Sequence, residues 1–304
     1  MSTVQRVESA GIGLAASSLG TPGRPAIVLV HGYPDSSHVW QPVAERLAQD
    51  FHVITYDVRG CGASDVPRSQ ADYSLAQLAA DTLAVADALA PGQPFHLVGH
   101  DWGSIQSWET ATTPEFQQRI ASYTTISGPC LDHVAHWLQA EHASAGSRLW
   151  RRLTQLRESW YIAAFHLPGA PLAWNLGVAR YWPQHLRRTE GLRVTPSPTQ
   201  LKDGRNGINL YRQNVLPCMR NPRERYATMP VQLIVALRDA YVRPALFEGL
   251  TRWAPRLWRR DIDSTHWLPL LEPAQLASCI GEFVRFVDSG EESAALRDAR
   301  VSAA

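Results

Sequence analysis

Lysine is almost absent from this chain of 304 residues, because Lys202 is the only lysine among its 29 basic residues. The 29 basic residues face 28 acidic ones, which leaves a formal net charge of +1. A chain this close to neutrality has no charge excess that would attract nucleic acid or an acidic surface. We therefore expect no nucleic-acid partner.

Cysteine is also scarce. The chain has four, which lie far apart: Cys61, Cys130, Cys218 and Cys279. No two of them have the close spacing that is typical of a metal site or a disulfide framework. Isolated thiols are typical of a reducing compartment, so we expect a cytoplasmic protein with no metal centre and no cofactor.

Long apolar runs are missing as well. The first ten residues lack the basic-then-apolar pattern of a signal peptide, and no run is long enough to cross a membrane. Hydrophobic residues nevertheless make up 45% of the chain, including 11 tryptophans. That content is enough for one large domain with a buried core and an insertion.

Short apolar segments alternate with helical patterns along most of the chain. Strands are predicted at residues 4–9, 12–17, 26–30, 51–56, 95–98, 120–126, 231–237 and 257–262. Helices are predicted at residues 39–48, 75–90, 102–112 and 244–253 and from 272 onward, with a capping box at 74–77. The alternation predicts an α/β fold: a mostly parallel, eight-stranded sheet with helices on both faces. The polar stretch 291–304 is expected to fray.

The pattern changes after residues 127–129. From residue 130 to residue 218 we find helical stretches rich in tryptophan, arginine and histidine, and no strand. We therefore predict a helical cap domain over residues 130–218, inserted after the sixth strand. The core domain would then comprise residues 1–129 and 219–304.

One stretch, residues 95–104, organises the rest of the chain. An apolar strand breaks at Gly99, a helix begins near Trp102, and Asp101 lies at the apex between Gly99 and Gly103. Small residues on both sides of the apex are typical of the nucleophile elbow, which presents its central side chain at the carboxyl end of the sheet. The alternative is a tight turn whose aspartate caps the helix.

Two more candidate groups follow strands further along the chain. Asp239 comes after the strand at 231–237, and His266 comes after the strand at 257–262. The carboxyl ends of parallel strands meet at one edge of a sheet, and the order nucleophile, acid, base is that of a hydrolase triad. Taken singly, Asp239 could be a turn residue and His266 a loop histidine.

An aspartate nucleophile predicts a particular chemistry. A carboxylate can displace a leaving group at saturated carbon and form an ester with the enzyme. His266, held by Asp239, could then activate the water that hydrolyses the ester. The backbone N–H groups of Trp102 and Tyr33 are candidates for the oxyanion hole.

Four motifs carry a resemblance to a known family: residues 31–34, 57–65, 99–103 and 266–267. With these motifs the chain resembles the α/β-hydrolase-fold epoxide hydrolases over about residues 4–287 and, more loosely, the haloalkane and fluoroacetate dehalogenases of the same superfamily. The resemblance implies a cis peptide bond between Tyr33 and Pro34. Motif residues expected to line the substrate pocket are His31, Pro34, His100 and Trp267.

The resemblance also implies two tyrosines from the cap. Tyr161 lies a few residues before a Pro-Gly pair, and Tyr211 directly precedes an arginine. Phenols are suited to hydrogen-bond or protonate the alkoxide that develops when an epoxide opens. The chain departs from the family pattern at Leu210, where tryptophan is usual, and at Ser104, where a third glycine is common. Both tyrosines could instead be core aromatics of the cap.

Taken together, the resemblance implies a cofactor-independent epoxide hydrolase that converts a small hydrophobic epoxide to a vicinal diol, with a homodimer as one possible state. Three alternatives stay open. One is a dehalogenase with the same nucleophile, in which Trp102 would bind the halide. Another is a non-catalytic ligand-binding module. The third is a module that works beside another enzyme, similar to those joined to short-chain dehydrogenases.

Overall fold

The computed structural model describes residues 4–139, 159–193 and 197–302. Its strands are β1 (Val4–Ser9), β2 (Ile12–Gly20), β3 (Ala26–Val30), β4 (His52–Tyr56), β5 (Phe95–His100), β6 (Ile120–Ile126), β7 (Val231–Ala236), β8 (Leu257–Ile262) and β9 (Arg300–Val301). They form one sheet in the order β1-β2-β4-β3-β5-β6-β7-β8-β9.

The centre of the sheet is parallel and its edges are antiparallel. Strands β4, β3, β5, β6, β7 and β8 pair in parallel, whereas β1, β2 and β9 join antiparallel. Every residue of β3 and β7 is buried, because helices cover both faces of the sheet. This explains why the central strands are continuous apolar runs in the sequence.

Helices flank the sheet on both sides. Before β7 they are α1 (Gln41–Leu47), α2 (Leu75–Leu89), α3 (Trp102–Thr112), α4 (Pro114–Gln117), α5 (Leu131–Gln139), α6 (Trp160–His166), α7 (Ala170–Ala173), α8 (Ala179–Thr189) and α9 (Gln200–Arg220). After β8 they are α10 (Leu268–Leu271), α11 (Pro273–Ser289) and α12 (Ala294–Ala299). A π-helical turn, Trp174–Val178, joins α7 to α8. The predicted α/β architecture is confirmed.

The first two predicted strands, 4–9 and 12–17, form an antiparallel hairpin. β1 and β2 pair in register from Ser9 opposite Ile12, and the two turn residues, Ala10 and Gly11, have φ values of 48° and 75°. Two residues with positive φ are what a two-residue hairpin turn requires, because that geometry matches the twist of the strands.

The predicted number of strands is wrong by one, because the C-terminal segment does not fray. Leu296 is fully buried against Trp258 and Phe283, and Ser293 caps α12 by accepting the N–H of Leu296 at 3.1 Å. The helix so anchored returns the chain to β8, where Val301 pairs with Leu257. Leu296 and Val301 are the only apolar residues larger than alanine in the stretch 291–304, and they gave no periodic signal.

Two helix predictions also need correction. The segment predicted as a helix at 244–253 forms two short 3₁₀ turns, Pro244–Phe247 and Leu250–Arg252, because Glu248 is extended and Gly249 has φ of 71°. Ser74 occupies the N-cap position of α2, but its side chain makes no capping hydrogen bond. The side chain of Asn214 accepts the N–H of Leu75 instead, at 3.0 Å.

The described residues between β6 and β7 form helices joined by turns and loops, with no strand among them, and we call α5 to α9 the inserted helices. Polar side chains tie α9 to the rest of the fold. Asn206 donates to the carbonyl of Gly60 at 2.9 Å, and Asp203 accepts the N–H of Gly62 at 2.9 Å. Asn214 adds a bond to the carbonyl of Tyr73 at 2.9 Å. These bonds fix the helix over the carboxyl edge of the sheet.

Three findings bear on the expectations drawn from composition. All four cysteines are free and buried. Within residues 4–139, 159–193 and 197–302, no helix has the length and apolar character needed to cross a bilayer. The same residues contain no group of three or more His, Cys, Asp or Glu side chains that could hold a metal ion.

Candidate active site

Asp101 lies at a strained turn between β5 and α3. Its φ of 54° and ψ of −125° are unusual for a residue with a side chain, and such strain is characteristic of functional sites. A Cβ on Gly99 would lie 2.5 Å from the carbonyl oxygen of Gly103, and one on Gly103 would lie 2.1 Å from that of Val30. The two glycines are therefore required for the turn to form.

Ser104, the departure from the usual third glycine, is accommodated by its surroundings. It is fully buried, and its hydroxyl group lies 2.8 Å from the Tyr123 hydroxyl, 2.7 Å from that of Thr125 and 2.6 Å from the carbonyl of Gly128. A Cβ on Gly128 would meet both the backbone of Asp101 and the Ser104 side chain. Gly128 therefore leaves the space that the Ser104 side chain occupies.

The loop after β3 supplies a backbone donor to Asp101. The N–H of Tyr33 donates to Asp101 Oδ1 at 2.6 Å, and the bond between Tyr33 and Pro34 is cis, as the resemblance implied. Trp102, the other predicted donor, is the first residue of α3 and is buried. Its role in an oxyanion hole stays a prediction.

Asp239 and His266 meet Asp101, although they come from separate loops. His266 Nδ1 lies 2.8 Å from Asp239 Oδ2, and its Nε2 lies 3.4 Å from Asp101 Oδ2. The other oxygen of Asp239 accepts the N–H groups of Tyr241 and Val242 at 2.8 and 2.9 Å. The imidazole therefore connects the two carboxylates, each of which is held by backbone donors.

The charges of these groups support one another. Burial disfavours the charged form of His266, but the carboxylates of Asp239 and Asp101 outweigh it and raise the pKa of the imidazole well above its ordinary value. Burial also works to raise the pKa of Asp239, but His266 and the two backbone donors lower it below its ordinary value. The pair is thus poised as an imidazolium beside a carboxylate.

The two predicted tyrosines reach the same place from different inserted helices. Tyr161 on α6 and Tyr211 on α9 have ring centroids 6.0 Å apart, and both line one cavity with Asp101. Burial above all, with Asp101 adding to it, raises the pKa of both phenols above the ordinary value of 10. Both groups are therefore protonated and can donate.

The cavity has a volume of about 1140 Å³ and an apolar lining. Trp267 and His266 line it at the base, while Trp160 and Tyr181 stand at its mouth with 68% and 59% of their surface exposed. A cavity of this size and character, with a few convergent polar groups, is typical of a small-molecule site.

Three of the residues predicted to line the pocket have other positions. Among the described residues, the lining of this cavity does not include His31, Pro34 or His100. His31 accepts the N–H of Val58 at 2.9 Å and supports the loop, and Pro34 lines a separate cavity of about 220 Å³. His100 lies behind His266, and its Nε2 donates to the carbonyl of His266 at 2.8 Å, because a carbonyl oxygen can only accept. Burial lowers the pKa of His100 to about 4, so its imidazole is neutral.

Several residues at the site were not predicted from the sequence. Tyr241 lines the cavity and packs edge-on against His266 at 5.1 Å, and its hydroxyl lies 2.8 Å from His185 Nε2. Glu190 accepts the backbone N–H of His266. Tyr241 could have been found from its place two residues after Asp239, but nothing local marks His185 or Glu190.

Comparison with known proteins places this geometry in a family. A model of the alpha/beta hydrolase fold matches residues 25–273. A Mycobacterium tuberculosis protein named probable oxidoreductase EphD is 36% identical over 306 residues, which span 96% of this chain and 51% of that protein. This chain thus spans about half the length of that relative.

Two other similar proteins have names that contain the words epoxide hydrolase. Epoxide hydrolase 4 from Mus musculus is 24% identical over 300 residues, covering 92% of this chain and 78% of that protein. The crystal structure of a Bacillus megaterium epoxide hydrolase in complex with an inhibitor superposes with a TM-score of 0.77 at 20% identity, covering 92% of this chain and all of that one. By its sequence match and its fold, the chain belongs to the α/β-hydrolase fold family, and within it resembles the epoxide hydrolases.

Proposed function

We propose that the protein hydrolyses epoxides through an ester formed on Asp101. The observation that carries the proposal is the convergence of this carboxylate and two protonated phenols, Tyr161 and Tyr211, on one apolar cavity. An epoxide is an apolar electrophile whose oxygen needs a donor when the ring opens. The cavity offers a nucleophile on one side and donors on the other.

In the first step a carboxylate oxygen of Asp101 attacks a ring carbon, and the bond between that carbon and the ring oxygen breaks. The ring oxygen takes a proton from Tyr161 or Tyr211, and the product is a β-hydroxyalkyl ester of Asp101. The ring of Tyr211 packs edge-on against that of Trp102, next to the nucleophile, with ring centroids 4.7 Å apart.

In the second step His266 acts as a base. Esterification removes the negative charge of Asp101, which lies 3.4 Å from Nε2, so the imidazole loses part of what raises its pKa. The imidazolium gives its proton to the phenolate left by the first step, and His266, now neutral, takes a proton from water as the hydroxide attacks the ester carbon. Tyr33 N–H, with Trp102 N–H as the proposed second donor, stabilises the oxyanion.

The tetrahedral intermediate then collapses. The bond between the ester carbon of Asp101 and the substrate oxygen breaks, and His266 gives its proton to that oxygen. A vicinal diol leaves, and the water oxygen remains on Asp101 as part of a carboxylic acid. That acid gives its proton to His266, which restores the imidazolium and the Asp101 carboxylate. The reaction therefore consumes one water for each epoxide.

We also propose the domain division and the setting. Residues 1–129 and 219–304 would form the core and residues 130–218 the cap; residues 140–158 and 194–196 of that cap lie outside the described part of the chain. The cap supplies both tyrosines, so its shape selects the substrate. Four free, buried thiols support a reducing, cytoplasmic setting.

A dehalogenase with the same nucleophile is the second candidate, favoured by Trp102 beside Asp101. Two observations weigh against it. The ring of Trp102 packs edge-on against that of Tyr211 at 4.7 Å, and the guanidinium of Arg59, 1% exposed, pairs with Asp81 at 2.6 Å. Arg59 is therefore not available to bind the carboxylate of a haloacetate.

The test is to measure diol formation from a panel of aliphatic and aryl epoxides, with halide release from haloalkanes and fluoroacetate in parallel. Asp101→Asn is the control, assayed promptly because the amide can deamidate. We expect diol from the wild type and none from the variant. Halide without diol would favour the dehalogenase, and neither product with any substrate would favour a binding module or a module that works beside another enzyme.

A further inference from the structure

The inserted helices contact the loop that carries His266, the proposed base. The contact is made by a carboxylate that has no role in the proposed mechanism. Glu190 follows α8, and its Oε2 accepts the backbone N–H of His266 at 3.0 Å. The Glu190 side chain is 5% exposed. Its other oxygen, Oε1, is buried and has no hydrogen-bond partner among the residues that the structure describes.

This placement of a carboxylate is unfavourable for stability. A buried carboxyl group loses its hydration, and one peptide N–H replaces only a part of it. An apolar residue of similar size would fill the same space at a lower cost in free energy. The cost indicates that Glu190 serves the geometry of the residue it contacts, rather than the folding of the helix.

Hydrogen bonds hold both the backbone and the side chain of His266. The N–H of His266 bonds to Glu190, its carbonyl accepts from His100 at 2.8 Å, and its side chain bonds to Asp239 at 2.8 Å. The peptide groups before and after the Cα of His266 are both fixed. Of these contacts, the one to Glu190 is made by the inserted helices.

The same helix also contacts the loop of the acid. His185 on α8 lies 2.8 Å from the Tyr241 hydroxyl, and the N–H of Tyr241 donates to Asp239 at 2.8 Å. The end of α8 therefore contacts the loops of both the acid and the base. A shift of α8 would move Glu190 and, with it, the backbone of His266.

We propose that Glu190 is a positioning residue that holds the His266 backbone from the inserted helices, so that Nε2 faces the ester formed on Asp101. The proposal rests on the proposed function, because it concerns the step in which His266 activates water. It assigns Glu190 to ester hydrolysis and not to ester formation, since Asp101 attacks without help from a base.

The experiment follows both steps separately. Wild type, Glu190→Ala, Glu190→Gln and the control Arg188→Ala, which changes an exposed side chain on the same turn, are mixed with an epoxide that gives diol. Quenched samples are weighed by intact-protein mass spectrometry to measure formation and decay of the ester. Thermal melting of each variant is recorded alongside.

We expect Glu190→Ala to slow ester decay about 10- to 100-fold, with ester formation changed by about twofold at most, because misplacing a group by an ångström has effects of this size. The ester should accumulate. Glu190→Gln should restore most of the rate, since its amide oxygen can accept the same N–H. Arg188→Ala should match the wild type.

Three results would overturn the proposal: unchanged ester decay in Glu190→Ala, equal slowing of both steps, or failure of Glu190→Gln to restore decay. If Glu190→Ala does not fold, Glu190→Asp tests the same point, because its shorter carboxylate withdraws the acceptor; unchanged decay in that variant also overturns it. A wild type that releases diol without any ester would overturn the proposed function itself, a result distinct from all of these.

Discussion

At the scale of the residue, the site depends on keeping two phenols protonated next to a carboxylate. Tyr161 and Tyr211 are packed among aromatic rings, with Tyr211 also 4.7 Å from the ring of Trp102 and 4.9 Å from that of Phe165. Burial stabilises the neutral phenol over the phenolate. The same burial removes competing water, so a donated hydrogen bond is stronger than it would be in solution.

The first prediction concerns these phenols. Tyr161→Phe and Tyr211→Phe should each slow formation of the Asp101 ester, by about 10² to 10⁴-fold for the one that transfers the proton. The double variant should be slower than either. Pre-steady-state quench of an epoxide reaction measures the step.

A matched control is Tyr181→Phe at the cavity mouth, which also lines the cavity but is 59% exposed. It should leave the rate of ester formation unchanged. Ester formation that is equally fast in the double variant would contradict the role given to the two phenols.

The groups that could be predicted from the sequence at this scale are those with a local pattern. Asp101 is marked by Gly99 and Gly103, and His266 and Asp239 by their places after strands. His31 and His100 belong to the same motifs, yet their side chains bond to the backbone of other loops. Motif membership did not reveal which way a side chain points.

At the scale of the element, α9 positions Tyr211 by contacts on either side of it. Asn206 bonds to the carbonyl of Gly60, and Asn214 bonds to Leu75 and Tyr73 at the start of α2. Asparagine disfavours a helix interior, so its presence there is explained by the backbone groups that it satisfies. The helix is thus held by its polar side chains as well as its apolar ones.

The second prediction follows from that arrangement. Asn214→Ala should lower the free energy of unfolding by about 1–3 kcal/mol, because the buried N–H of Leu75 and carbonyl of Tyr73 lose their partner. Urea denaturation measures the change. Gln213→Ala is the control, since that side chain makes one weak exposed contact of 3.4 Å, and equal losses in both variants would contradict the assigned bonds.

These element-scale contacts could not be predicted from the sequence. Polar residues within a helical pattern look like a solvent-facing stripe, and only the tertiary structure shows that Asn206, Asn214 and Glu190 face protein. Likewise the C-terminal strand β9 forms because Leu296 finds a buried place beside Trp258. The alternation of strands and helices predicted the parallel sheet, but it predicted neither these polar contacts nor strand β9.

At the scale of the whole molecule, stability is linked to histidines that the fold keeps neutral. Burial lowers the pKa of His133 to about 4, while its ring stacks on Trp253 at 4.8 Å and bonds to the carbonyl of Arg225. The unfolded chain takes up this proton near pH 6.5, before the folded chain does. The stability from a neutral His133 is therefore complete above pH 6.5 and is lost as the pH falls to about 4.

The third prediction compares His133→Gln with the wild type. Between pH 7.5 and pH 4, the wild type should lose about 3 kcal/mol of unfolding free energy relative to the variant, because a tenfold change in proton affinity corresponds to about 1.4 kcal/mol. Glutamine can still donate to Arg225, but it does not titrate. Parallel curves for the two proteins over this range would contradict a neutral buried His133.

The most direct test of the proposed mechanism is a single turnover in water enriched in ¹⁸O, with enzyme in excess over epoxide. Because water attacks the ester carbon of Asp101, the label should enter the Asp101 carboxylate, detected in the peptide that contains it, and the first diol released should be unlabelled. Label in the diol after one turnover, with none in Asp101, would show direct attack of water on the epoxide and would contradict the ester intermediate.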